Sequence, residues 1–183
     1  MGEPERPPRT SGEEQEVAQA VSEKVSEGEE HFQQPEGDPQ VHFQLGYVAN
    51  ENREYQEAIE HYTEAIQLDP NNALAYNNRG NAYLSLGQYQ RAIQDYDKAI
   101  QIDPNYAHAY NMRGGVYYRL GENQRAIQDY DKAIQIDPYY AIAYNNRGYT
   151  YEALAQASSW MIRGKWSSKA REDFDKARSL GIG

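Results

Sequence analysis

Apolar positions in residues 73–106 fall into two helical runs. Tyr76, Ala82, Tyr83 and Leu86 recur at helical spacing until Gly87 interrupts them, and Ala92, Ile93, Tyr96, Ala99 and Ile100 mark one face of a second run. Asp103-Pro104 closes that run, because proline disfavours helical geometry in the residue before it. The whole pattern returns 34 residues later: residues 107–140 match 73–106 at 25 of 34 positions without a gap. A looser copy precedes them, from Pro39 to Asn72. A fourth begins at Ala141, keeps Tyr144, Gly148, Tyr151 and Leu154, and then departs. A fixed period of this length predicts an all-α solenoid of tandem antiparallel helix pairs, each burying its apolar face against the next.

Counting from the first residue of each copy, position 8 is Gly46, Gly80, Gly114 and Gly148, and position 20 is Ala58, Ala92 and Ala126. Position 24 is Tyr62, Tyr96 and Tyr130, position 27 is Ala65, Ala99 and Ala133, and position 32 is Pro70, Pro104 and Pro138. This unit resembles the tetratricopeptide repeat, whose small residues let paired helices approach closely while aromatics fill the remaining space. The first copy departs from the family at His42, at Ala49 and at the turn, where Asn52-Arg53 replaces glycine. In the fourth copy the second helix is recovered with Ala170, Phe174 and Ala177 at positions 20, 24 and 27. About ten extra residues then lie within 156–167. The expected organisation is a tail over 1–38 and a repeat domain over 39–183, with copies at 39–72, 73–106, 107–140 and 141–183.

The resemblance implies a groove lined by positions 2, 5, 6 and 9 of each first helix. Carried over residue by residue, the peptide-binding candidates are Phe43, Gln44 and Tyr47, then Asn77, Asn78 and Asn81. His108, Asn111 and Met112 follow, and then Asn145, Asn146 and Tyr149. Asn77, Asn111 and Asn145 repeat at the 34-residue step, and amides offer both donors and acceptors to an extended backbone. The run is similar to the asparagine ladder of O-GlcNAc transferases, although there the amides occupy position 6. The family's carboxylate clamp for chaperone C-termini is not expected, because its frame is filled by Phe43, Tyr47, Asn78, His108 and Met112, without the two cations. One unit later the frame reads Asn77, Asn81, Met112, Ile142 and Asn146, again without them.

Arg79, Arg113 and Arg147 stand at position 7, a packing position, so each guanidinium needs an acid. Asp69, Asp103 and Asp137 at the foot of the preceding copy are the expected partners, a stripe of free cations awaiting an acidic ligand being the rival. The insert holds Trp160, Arg163 and Trp166, expected to cap the stack as a lengthened helix and loop. The alternative is a second docking site, which would make the protein an assembly factor or co-chaperone-like helper.

Composition narrows the function. Residues 1–38 hold eleven acids against three bases, and the remainder is nearly balanced at seventeen against fifteen. That remainder lacks the basic field of a nucleic-acid binder. The tail has the polar composition of a disordered segment. No apolar run approaches the roughly 20 residues that span a bilayer. Cysteine is absent, His31, His42, His61 and His108 show no metal-ligand spacing, and neither a phosphate-cradling glycine loop nor a nucleophile elbow occurs. The expectation is a cytoplasmic, non-enzymatic scaffold or adaptor without cofactors, whose partner is a protein or peptide. Self-stacking of the near-identical middle copies is a further expectation where the ends are poorly capped.

Overall fold

A carboxylate and a proline start the first helix. Asp38 Oδ1 accepts from the backbone N–H of Gln40 at 2.8 Å, and Pro39 occupies a position whose N–H would have no helical partner. The computed structural model describes residues 37–182, so the acidic tail lies outside the described residues. Eight helices follow in strict succession: α1 (Pro39–Glu51), α2 (Tyr55–Leu68), α3 (Ala73–Ser85), α4 (Tyr89–Ile102), α5 (Ala107–Arg119), α6 (Asn123–Ile136), α7 (Ala141–Ala157) and α8 (Trp160–Ser179). No strand occurs among the described residues.

Each copy is one antiparallel pair, and each pair docks on the next. Gly87 and Gly121 turn the chain within their pairs at φ +70° and +76°. Arg53 takes the same left-handed conformation at φ +65°, so the missing glycine of the first copy leaves the turn geometry intact at a steric cost. Glycine at position 8 is required by contact. A Cβ on Gly46, Gly80 or Gly114 would stand 2.8 Å from the ring of Tyr62, Tyr96 or Tyr130, and one on Gly148 2.7 Å from Phe174. The interior is a column of alanines at full burial, among them Ala58, Ala75, Ala92, Ala109, Ala126 and Ala143, keyed by those three tyrosines.

The first helices of successive copies touch one another directly, α1 to α3, α3 to α5 and α5 to α7, whereas successive second helices do not. The helical unit therefore curves with its first helices on the inner side. The insert differs from expectation. It forms no loop: α7 runs 17 residues and α8 runs 20, against 13 and 14 in the preceding copy. Only Ser158 and Ser159 link them. The physical reason is the absence of any breaker between Trp160 and Ser179 except Gly164, which an α-helix tolerates.

Candidate functional site

Positions 2, 5, 6 and 9 share one helix face, and on the inner first helices they form three tiers. Tyr47, Leu74, Ile142 and Tyr149, at positions 2 and 9, are 46–50% exposed and make an apolar rim. Gln44 is exposed, and Asn78, Met112, Asn145 and Asn146 are half-buried between rim and floor. Position 5 is the floor. Phe43 is buried against Tyr62 with ring centroids 5.8 Å apart, and Asn77 and Asn111 are only 1% and 3% exposed. The asparagines of the repeating ladder are thus unequal, since Asn145 alone of the three is not buried.

The floor amides are engaged with the protein itself. Asn146 Nδ2 donates to Asn111 Oδ1 at 3.0 Å, joining position 6 of one copy to position 5 of the copy before. One step earlier the donor is missing, because Met112 occupies the place of Asn146. Asn77 Nδ2 donates to Asn78 Oδ1 at 3.2 Å, but Asn77 Oδ1 is buried without a partner. A second irregularity lies close by in the sequence pattern. Tyr96 donates its hydroxyl to Asn81 Oδ1 at 2.8 Å, whereas Tyr62, whose copy has Tyr47 at position 9, leaves its hydroxyl unpartnered. Burial pushes the Tyr62 phenol up to about 12, and Tyr96 and Tyr130 move further in the same direction. His108 Nδ1 meets the Tyr140 hydroxyl at 2.9 Å, and burial lowers its pKa, so it serves the wall as a neutral ring.

The arginines are paired, with partners other than those expected. Arg79 reaches Asp95 through Nε and Nη2 at 2.8 and 2.7 Å and the hydroxyl of Thr63 through Nη1 at 3.0 Å. Arg113 grips Asp129 at 2.8 and 2.6 Å and also Asp97; Arg147 grips Asp173 at 2.7 and 2.6 Å and also Asp131. Each guanidinium binds position 23 of its own copy and position 25 of the copy before, and lies over Tyr76, Tyr110 or Tyr144 at 5.5 Å. Desolvation opposes the charged arginines, but these carboxylates outweigh it and raise their pKa values. Asp69, Asp103 and Asp137 instead accept from the backbone N–H of Asn71, Asn105 and Tyr139 in their own turns. No row of free guanidinium groups remains for a ligand.

Sequence reasoning missed the far end of the inner face. A cleft of about 480 Å³ there is lined by Tyr149, Glu152, Ser167, Ala170, Arg171, Phe174 and Arg178, with Tyr149 and Phe174 edge to face at 5.1 Å. Its wall comes from α8, beyond the first helices to which the family's positions apply. The basic composition of residues 155–183 was the available signal. The tryptophans separate: Trp166 stacks on Tyr151 at 5.7 Å, while Trp160 is 82% exposed and covers nothing. Arg163 is exposed.

Helix pairs repeated at a fixed step, with an inner face of amides and apolar rims, define an α-solenoid protein-interaction module. The chain belongs to the tetratricopeptide repeat family. Family models described as tetratricopeptide repeat match residues 73–106 and 95–128, and one described as TPR repeat matches 50–87 and 114–154. A similar curated protein is translocon at the outer membrane of chloroplasts 64 from Pisum sativum, 52% identical over 42 residues. That match covers 23% of this chain and 7% of the relative, so the chain spans only a small part of its length. The crystal structure of MamA superposes with a TM-score of 0.71 at 25% identity, over 95% of this chain and 96% of the other. The first TPR of Spaghetti (RPAP3) bound to the HSP90 peptide SRMEEVD gives 0.62 at 29% identity, over 66% and 98%. Among the described residues no helix is long and apolar enough to cross a membrane, and no group of His, Asp and Glu is placed to hold a metal.

Proposed function

We propose that the helical unit is a scaffold or adaptor that receives an extended segment of a partner protein along the inner face of its first helices, without catalysing a reaction. The observation that carries this reading is the rim. Tyr47, Leu74, Ile142 and Tyr149, from the first, second and fourth copies, keep about half their surface open on the inner helices, with Gln44, Asn78, Asn145 and Asn146 beside them. Apolar side chains of a bound segment would dock on the rim while its backbone meets the amides. The structural relative that holds an HSP90 peptide supports a peptide-binding role for this surface. This chain has Phe43, Tyr47, Asn78, His108 and Met112 where cations and amides would clamp a terminal carboxylate, so its segment is of another kind.

A peptide-display library selected on the full chain tests the proposal. Ligands enriched on the wild type should bind the double variant Tyr47→Ser, Tyr149→Ser about tenfold or more weakly, with the circular dichroism spectrum unchanged. Equal affinity for the variant would remove the inner face as the site.

A further inference from the structure

The insert leaves an apolar knob outside the stack. Trp160, Met161 and Ile162, the first turn of α8, are 82%, 74% and 49% exposed. Residues 159–165 are exposed throughout, Arg163 reaching back only to the Ser158 carbonyl at 3.4 Å, and Trp166 stacks on Tyr151. The same stretch is basic: between Glu152 and Glu172 lie Arg163, Lys165, Lys169 and Arg171 and no acid, in a chain of net charge −10. All four bases are exposed. Lys165 and Lys169 stand over the Trp166 ring at 5.5 and 5.8 Å, which fixes them beside the knob.

We propose that this first part of α8 is an interfacial anchor that seats the helical unit on an anionic lipid bilayer. Geometry favours a bilayer over a protein surface. Three consecutive helical residues fan out over about 200° around the axis, so one rigid face could cover only part of the trio, whereas the soft headgroup boundary surrounds all of it. Tryptophan settles at that boundary, and Arg163 and Lys165, beside the trio, meet anionic headgroups there. Among the described helices none is both long and apolar enough to span, and α8, long but highly charged, would lie in the headgroup boundary. This attachment leaves the inner face of the first helices free and is independent of its occupant.

The two tryptophans make the test direct, since Trp166→Phe in the full chain leaves Trp160 as the sole reporter. Vesicles of phosphatidylcholine with phosphatidylserine should shift its emission to the blue, and phosphatidylcholine alone should not. The double variant Arg163→Gln, Lys165→Gln should partition about 25-fold less, at roughly fivefold for each base. Trp160→Ser, Met161→Ser, followed by cosedimentation with unchanged helicity, should abolish binding. The proposal falls if emission is unmoved by the anionic vesicles, as a purely protein-docking knob would leave it. It falls equally if either double variant binds like the parent.

Discussion

At the groove floor a single side chain decides whether a buried oxygen is satisfied. Asn111 Oδ1 has its donor in Asn146, and Asn77 Oδ1 lacks one because Met112 intervenes. Leaving a buried acceptor unpaired costs about 1–3 kcal/mol. Met112→Asn should therefore be more stable than Met112→Ala by about 1–2 kcal/mol in urea unfolding, and the advantage should vanish in an Asn77→Ala background. This asymmetry was only half legible. The repeat frame gave the positions of the amides, but burial at position 5 depends on how closely the first helices lie. The signal was Phe43, an aromatic at that position in the first copy, which marked it as inward-facing.

Among the elements, the arginine clamp is what couples one helix pair to the next. The sequence established that a charge in a packing position must be paired, and it is. It did not establish the partner: Asp69, Asp103 and Asp137 lie nearer along the chain, while the facing helix supplies Asp95, Asp129 and Asp173 across the pair. Proximity in sequence is a poor guide here because Asp69, Asp103 and Asp137 are already engaged by their own turn amides. Arg113→Ala strands the largely buried Asp129 and should cost about 3–5 kcal/mol. Arg125→Ala, which breaks an exposed and solvent-screened pair with Glu122, should leave the midpoint nearly unchanged in the same denaturation assay. The loop expected in the insert is instead helix on both sides of Ser158 and Ser159, because helix continuity across Gly164 depends on what α8 packs against.

For the molecule as a whole, the 34-residue period settled the class of fold, and the inner tyrosines set its response to alkali. Tyr62, Tyr96 and Tyr130 have folded-state pKa values raised by burial, whereas the unfolded chain ionises them near 10. Below pH 10 these phenols are protonated in both states and stability does not depend on them. Above it the unfolded chain alone loses the protons, so stability falls as pH rises. Each such group steepens the decline above pH 10, and Tyr106, Tyr117, Tyr140 and Tyr151, raised in the same direction by burial, add to it. Urea midpoints measured at intervals between pH 9 and 12 should decline as pH rises, and Tyr96→Phe should flatten the decline.

The clamp also stops at both ends. Position 7 of the first copy is Leu45, 41% exposed, in place of arginine, and position 25 of the fourth is Asp175, which pairs with the exposed Arg178 of its own helix. Threading one copy of the chain behind another would press an isobutyl group onto a carboxylate at the seam, stripping its water and returning no counter-ion. A seam of that kind would lack the charged clamp that joins the four copies within this chain.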